Sequence, residues 1–229
     1  MYTSKIHNSP FKKVELSFTP PGVMNMPIFF EVRGTNGSGK STVPFMLQAG
    51  DPEAFKAVEK DPVLGDLVLT CSPNSRTIIV GSYPIGRAVG GCDTISGSEK
   101  IEGHLAFAKR LLETHSGKFD KVFFEGIMTS TSNSRYTKFL LQELKVPQEQ
   151  LVVGWCNTPL EVCIERIYGR TGKEFNHSLV EGKHDQLSRQ PQNHRDLFPD
   201  VNRVVYDCMC SKETMLENWL WQDYQPIVL

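Results

Sequence analysis

The sequence lacks any long hydrophobic segment and any excess of charge of one sign. No apolar run in the 229 residues approaches the roughly 18 that a membrane-spanning helix needs, and no signal-peptide core is present. Lysine and arginine number 25 against 26 aspartate and glutamate residues, so the formal net charge is −1. We therefore expect no membrane partner, and any nucleic acid would have to bind in a local groove rather than through a global positive field.

The six cysteines lack the spacing of zinc ligands, and they lie scattered at Cys71, Cys92, Cys156, Cys163, Cys208 and Cys210. We expect reduced thiols and a cytoplasmic location. Internal repeats and low-complexity tracts are also absent. A chain of 229 residues with 39% hydrophobic residues can bury one core, so a single domain over residues 1–229 is predicted.

The chain does contain a glycine-rich octapeptide, GTNGSGKS at residues 34–41, directly after a mostly apolar run at 28–32. It matches G-x-x-x-x-G-K-[ST], in which backbone N–H groups and a helix amino terminus hold phosphates. Lys40 would reach the β- and γ-phosphates and Ser41 would ligate Mg²⁺. The alternative is an ordinary glycine-rich turn, but the order of strand, turn and helix favours a nucleotide site. The predicted nucleotide contacts are Gly34, Thr35, Asn36, Gly37, Ser38, Gly39, Lys40, Ser41 and Thr42.

Apolar runs alternate with helical patterns along the chain, which is typical of βαβ units. Strands are predicted at residues 28–32, 77–80, 121–124, 151–156 and 203–206, and helices at 41–48, 51–59, 98–115, 133–145, 159–168 and 213–221. This pattern predicts an α/β, P-loop NTPase-type three-layer sandwich with a five-stranded parallel sheet. A short strand is possible at 67–70. Residues 1–27 are expected to form an N-terminal arm and the polar residues 169–199 a mobile lid.

Ligands bind at the carboxyl ends of the strands of a parallel sheet, so an acidic residue that follows a strand is a better candidate for the site than one that precedes it. Asp120 precedes its strand, whereas Glu125 follows Val122-Phe123-Phe124 and emerges at the ligand end. Glu125 is therefore a candidate for the Mg²⁺ shell or for proton transfer. The alternative is a turn made with Gly126.

A glycine-dense loop at residues 81–94 follows the second predicted strand. In phosphoryl transfer a carboxylate accepts the proton of the acceptor hydroxyl, and Asp93 is the first candidate. Gly90 and Gly91 would let substrate approach, Tyr83 would stack on a base, and Arg87 would either clamp a phosphate or face solvent. The alternative is that Asp93 caps a turn or helix.

Two arginines, Arg166 and Arg170, lie four residues apart and so on one helix face at the start of the predicted lid. One of them is expected to neutralise charge on the transferring phosphoryl group. The other would instead pair with Glu165, Glu174 or Asp185. His177, His184 and His194 lack the spacing of a metal motif, and Trp155, Trp219 and Trp221 are expected in the core.

These motifs resemble those of the P-loop kinase superfamily over residues 28 to about 207. Within it, residues 33–41 together with Gly90-Gly91-Cys92-Asp93 most resemble the bacteriophage 5-hydroxymethyluracil DNA kinases. The resemblance implies phosphorylation, with ATP and Mg²⁺, of the hydroxymethyl group of 5-hydroxymethyluracil in phage DNA within the host cytoplasm. It also implies that Lys40 and Ser41 hold ATP·Mg²⁺ and that Asp93 activates the acceptor hydroxyl.

Two other functions stay open at this point. A kinase of a free nucleoside or nucleotide fits the near-neutral charge. A regulatory NTPase is disfavoured because the sequence has neither the Asn-Lys-x-Asp motif nor the Leu-Ser-Gly-Gly-Gln signature.

Overall fold

The computed structural model describes residues 27–83, 90–115, 117–212 and 214–216. Seven strands form its frame: β1 (Ile28–Arg33), β2 (Phe55–Asp61), β3 (Gly65–Ser72), β4 (Thr77–Val80), β5 (Lys121–Glu125), β6 (Leu151–Asn157) and β7 (Asn202–Asp207). They build one sheet in the order β2-β3-β4-β5-β1-β6-β7.

The five predicted strands form the parallel part of this sheet, from β4 through β5, β1 and β6 to β7. The predicted total of five strands is wrong, because β2 and β3 form an antiparallel hairpin that extends the sheet beyond β4. P-loop residues 34–41 follow the central β1. The carboxyl end of β1 therefore lies between those of β5 and β6.

The predicted helix at 51–59 is also wrong, since Phe55–Asp61 is strand β2. Asp51 does not begin a helix there. Its carboxylate accepts hydrogen bonds from the Ser72 hydroxyl at 2.6 Å and from the Asn74 side chain at 2.8 Å. These contacts fasten the start of the hairpin to the end of β3, so the backbone enters β2 extended.

Helices cover both faces of the sheet: α1 (Thr42–Gly50), α2 (Ser98–Thr114), α3 (Ile127–Thr131), α4 (Arg135–Lys138, continued by a π-helical turn at Phe139–Glu143), α5 (Leu160–Thr171), α6 (His177–Ser188) and α7 (Gln190–Leu197). Phe29 and Phe124 pack with α2 on one face, whereas Phe30 and Phe123 pack with α1 on the other. Because strand side chains alternate between faces, each strand contributes to two apolar clusters. No described helix is both long enough and apolar enough to cross a bilayer.

The predicted lid region contains α6 and α7. A ring nitrogen of His184 lies 3.0 Å from the Thr158 carbonyl oxygen, and Gln186 donates to the Thr131 carbonyl at 3.3 Å. Helix α6 thus bridges the β6–α5 connection and the end of α3. Closure of this region as a lid stays a prediction, and nearly all of the predicted N-terminal arm lies outside the described residues.

Candidate active site

The glycine-rich loop forms a compact turn between β1 and α1. Gly37 and Gly39 have φ angles of +81° and +99°, which favour glycine. A Cβ atom at Gly37 would lie 2.3 Å from the carbonyl oxygen of Cys163. The Thr158 hydroxyl donates to the Ser38 carbonyl at 2.7 Å, so the loop packs on the start of α5.

The Lys40 side chain lies beneath this loop, with only 6% of the residue exposed. Its Nζ atom is 3.4 Å from the Thr35 carbonyl oxygen and 3.9 Å from Oε2 of Glu125. The Thr35 hydroxyl is buried and has no hydrogen-bond partner in the described part of the chain. A buried ammonium group with long contacts and an unpaired hydroxyl together fit a loop that binds phosphate oxygens.

Glu125 ends β5 and is fully buried beside the loop. Its Oε1 atom accepts hydrogen bonds from the Ser41 hydroxyl at 2.9 Å and the Tyr83 hydroxyl at 2.8 Å. Burial raises the pKa of this carboxyl, while Lys40 and the two hydroxyl donors oppose the rise. The structure therefore brings the two residues predicted to bind a metal, Ser41 and Glu125, into direct contact.

Asp93 is half-buried and lies at the amino end of α3. Its Oδ1 atom accepts from the backbone N–H groups of Ile127 at 2.8 Å and Met128 at 3.1 Å, and Oδ2 lies 2.9 Å from the Ile127 nitrogen. This is the helix-cap geometry that the sequence left as an alternative to a catalytic role. Each carboxylate oxygen has two lone pairs, so Oδ2 keeps acceptor capacity beyond this bond.

Gly90 and Gly91 lie against the same carboxylate cluster. Gly91 has a φ angle of +63°, and a Cβ atom there would lie 2.3 Å from Oε1 of Glu125. A Cβ atom at Gly90 would lie 2.9 Å from the Tyr83 ring. Tyr83 is itself only 3% exposed, and its hydroxyl binds Glu125. Stacking of Tyr83 on a base stays a prediction, and Arg87 lies outside the described residues.

The two arginines of α5 differ in their contacts. Arg166 donates from Nη2 to the Cys208 carbonyl at 2.9 Å and from Nη1 to the Gly37 carbonyl at 3.4 Å. It therefore reaches the glycine-rich loop. Arg170 is exposed, and among the described residues it forms no ion pair with Glu174 or another acid.

A buried polar network next to the loop was not predicted from the sequence. Glu31 and Arg33 are both completely buried on β1, with the Arg33 Nη2 atom 2.7 Å from Oε1 of Glu31. Arg33 also donates from Nη1 to the Asn133 carbonyl at 2.7 Å and to the Gln190 side chain at 3.2 Å. Two charged residues inside the otherwise apolar run IFFEVR were the available signal.

The network continues to helix α7. The Thr137 hydroxyl lies 3.2 Å from Oε2 of Glu31 and 3.0 Å from Nε2 of His194. The guanidinium carbon of Arg33 lies 5.6 Å from the centre of the Trp155 ring, within cation–π range. Burial, with Arg33 and Arg203 nearby, lowers the pKa of His194 to about 3.

No group of three or more histidine, cysteine, aspartate or glutamate side chains in the described ranges is arranged to hold a metal ion. The oxygen atoms of Ser41 and Glu125 are instead of the type that Mg²⁺ prefers. A magnesium ion held there would have to take its remaining ligands from water and from a phosphate group.

A family model described as 5-hmdU DNA kinase matches residues 11–218 of the chain. The chain is 36% identical over 173 residues to 5-hmdU DNA kinase 1 of Salmonella phage ViI, covering 75% of this chain and 73% of that protein. It is 32% identical over 164 residues to the 5-hmdU DNA kinase of Pseudomonas phage M6, covering 70% and 82% of the two proteins.

A third relative, the 5-hmdU DNA kinase of Bacillus phage SP10, is 29% identical over 177 residues. The match covers 74% of this chain and 25% of that longer protein. Among solved structures, deoxyadenosine kinase from M. mycoides with bound dATP aligns with a TM-score of 0.36 and 14% identity, covering 83% of this chain and 96% of that one.

Proposed function

The chain belongs to the 5-hmdU DNA kinase family, and we propose that its glycine-rich loop delivers the γ-phosphoryl group of ATP to the hydroxymethyl group of 5-hydroxymethyluracil in DNA. The observation that carries this mechanism is the contact between the loop and the acid of the neighbouring strand. Lys40 and Ser41 both lie against Glu125, which joins the proposed phosphate and metal ligands in one buried cluster.

In this proposal the backbone of residues 34–42 holds the ATP phosphates, because the glycines and the start of α1 direct N–H groups toward an anion. Lys40 binds the β- and γ-phosphates, and the unpaired hydroxyl of Thr35 gains an acceptor. Ser41 and Glu125 hold Mg²⁺, directly or through water. When bound, the ion neutralises charge on the phosphate oxygens.

Asp93 is proposed to take the proton of the acceptor hydroxyl. It lies beside Glu125 and keeps a lone pair on Oδ2, while its other bonds hold the carboxylate in one orientation. Gly90 and Gly91 let the backbone of this loop lie close to the carboxylate cluster and to a bound substrate. If Asp93 is only a helix cap, Glu125 is the remaining acid of the cluster.

Arg166 is proposed to stabilise negative charge on the transferring phosphoryl group, since it already contacts the Gly37 carbonyl of the loop. Arg170, one turn further along α5, is exposed and would join it when the 169–199 region closes over the nucleotide. The target base must leave the double helix to reach this buried cluster. The proposed setting is the host cytoplasm, since the relatives come from phages.

The acceptor is tested by incubating the protein with γ-labelled ATP and three acceptors: an oligonucleotide with one 5-hydroxymethyluracil, the same oligonucleotide with thymine, and the free hydroxymethylated nucleoside. We expect label only on the modified oligonucleotide. Label on the nucleoside alone would show a kinase of free nucleosides, and phosphate release without any acceptor would show an NTPase. Lys40→Ala should abolish transfer to whichever acceptor is used.

The base is tested with Asp93→Asn, which should retain ATP binding and lose on the order of 10² or more in kcat. The matched control is Asp200→Asn, an exposed acid outside the cluster. Unchanged turnover in Asp93→Asn would contradict the assignment and would direct the same test to Glu125→Gln. Thermal unfolding of both variants separates loss of the helix cap from loss of the base.

A further inference from the structure

A polar groove of about 470 Å³ lies between the α3–α4 junction and helices α6 and α7. Its walls carry four carboxamide side chains, one guanidinium group and one carboxylate, from Asn133, Gln186, Gln190, Asn193, Arg189 and Asp185. None of these residues takes part in the phosphate and metal cluster. Volumes of this size are typical of sites for small ligands or single chemical groups.

Two hydrogen-bonding atoms of this groove's residues are buried without a partner in the described chain. Gln190 is 3% exposed, and its Oε1 atom accepts from Arg33 while its Nε2 donor is unpaired. The Oδ1 acceptor of Asn133 is likewise buried and unpaired. Arg33 Nη1 donates to the backbone carbonyl of Asn133 and to the side chain of Gln190, so the two residues that carry the unpaired acceptor and donor are neighbours.

Unpaired buried polar groups are costly, at about 1–3 kcal/mol each, so a ligand that pairs with them binds favourably. A neighbouring donor and acceptor match the edge of a nucleobase, which presents the complementary pair. Carboxamides of asparagine and glutamine are the side chains that read such edges in pairs of hydrogen bonds.

The groove also has a place for a phosphate. Arg189 is exposed on its wall and directly precedes α7, which begins at Gln190 without a side-chain cap. The same residue also ends α6, so the carbonyl end of that helix meets the amino end of α7, and the guanidinium group of Arg189 is the feature here that favours a phosphate. A base edge and a phosphate bound side by side are the two parts of one nucleotide.

The position of the groove relates it to the proposed transfer site. Asp93 caps the amino end of α3, and Asn133 follows its carboxyl end by two residues. A five-residue helix is about 7.5 Å long at 1.5 Å per residue. Nucleotides of one DNA strand follow each other at about 3.4 Å along a duplex and are further apart when the strand is extended. With the target base at Asp93, a nucleotide one or two positions along the strand would therefore lie at the distance of the groove.

We propose that this groove binds a nucleotide of the DNA strand next to the target base, with the base against Asn133, Gln190 and Asn193 and a phosphate against Arg189. The inference rests on the proposed function, since it gives the DNA substrate a second contact.

The test uses Arg189→Ala and Asn193→Ala, both at exposed positions, in the full chain. Their matched controls are Arg195→Ala and Gln192→Ala, which replace the same kinds of side chain on α7 outside the groove. Each groove variant should raise the KM for a 5-hydroxymethyluracil oligonucleotide about tenfold, which corresponds to about 1.4 kcal/mol. The kcat and the KM for ATP should stay within twofold of the values for the unaltered protein. The controls should leave all three values within twofold.

Two further measurements separate the parts of the nucleotide. Arg189→Ala should reduce the slope of log K for DNA against log salt by about 1, whereas Asn193→Ala should not change it. Shortening the oligonucleotide on the side that enters the groove should raise the KM of the unaltered protein more than that of Asn193→Ala, because the variant has already lost one of the contacts to that nucleotide.

Equal KM values for groove variants and controls would overturn the groove assignment while leaving the DNA kinase activity intact. Failure of the unaltered protein to label any DNA would overturn the proposed function itself, and the two outcomes are distinct. An equal rise in KM for ATP would show that the variants act on the nucleotide site and would also overturn the assignment.

Discussion

The Tyr83 hydroxyl donates a hydrogen bond of 2.8 Å to Oε1 of Glu125, the atom that also accepts from Ser41. Burial raises the pKa of Glu125, and this hydrogen bond opposes the rise. Burial and the nearby Glu125 hold the pKa of Tyr83 well above its usual value, so the tyrosine remains the donor at any working pH. The loop after β4 thereby helps to keep the buried acid ionised.

Tyr83→Phe should therefore raise the pKa of Glu125 further. If ionised Glu125 is needed for transfer, the acid limb of the pH profile of kcat/KM should move to higher pH by about one unit, the scale of one hydrogen bond to a charged group. Tyr136→Phe removes a hydroxyl from another fully buried tyrosine in a different apolar cluster and should leave the limb in place. A limb that does not move in Tyr83→Phe would contradict the coupling.

Gly91 and Gly97 form a matched pair of glycines. Both have positive φ angles, +63° and +91°. A Cβ atom at Gly91 would lie 2.3 Å from Glu125 Oε1, whereas a Cβ atom at Gly97 would have no neighbouring atom within 4 Å. Gly97→Ala should cost only backbone strain, about 1–3 kcal/mol of unfolding free energy. Gly91→Ala should cost more and should also lower kcat at least tenfold, because the carboxylate must move. Denaturant unfolding and steady-state kinetics measure the two effects, and equal kcat in both variants would contradict the prediction.

The buried pair of Glu31 and Arg33 should be sensitive to the loss of one partner. Arg33→Met leaves an unpaired buried carboxylate and should lower the unfolding free energy by about 3–5 kcal/mol. The double variant Glu31→Gln with Arg33→Met should lose less than the sum of the single losses. Removing Glu113, which pairs with Lys109 on the surface of α2, is the control and should cost about 1 kcal/mol or less. Additive losses at the buried pair would contradict the coupling.

The pH dependence of stability should report His194. Its pKa is about 3 in the folded chain and near 6.5 when unfolded, so the unfolded chain takes up the proton first as the pH falls. Stability from this residue is complete above about pH 6.5 and is lost progressively below it, amounting to about 2 kcal/mol between pH 7 and pH 5. Urea unfolding of the unaltered protein and of His194→Gln at each pH isolates the contribution of His194, since the carboxyl groups titrate in both proteins. Parallel pH curves for the two proteins would contradict it.

Sequence patterns predicted the parallel part of the sheet because its strands are short apolar runs that end in polar turns. The short strand offered at 67–70 lies within β3, but β2 was missed because FKAVEKD is half charged and follows Asp51-Pro52-Glu53, which is typical of a helix start. The contacts that decide otherwise come from Ser72 and Asn74, more than 20 residues away in the chain. Tertiary contacts therefore override the local helix propensity of this segment.

The compact turn between β1 and α1 could be predicted because its residues are consecutive, and Glu125 could be placed at the carboxyl end of β5 by the strand rule alone. The network around Arg33 could not. Its partner Gln190 is 157 positions further along the chain, and only the fold brings the two together. The helix-cap bonds of Asp93 were anticipated as an alternative, but their partner α3 begins 34 residues later.

The antiparallel hairpin also determines how the sheet ends. Within the described residues β2 is the outermost strand on this side, and it carries Lys56, Glu59, Lys60 and Asp61 along its length. A further strand from a neighbouring molecule would have to strip water from these charges in order to pair with the backbone. The added hairpin thus gives the sheet a border that resists aggregation, where the apolar β4 would otherwise have been open.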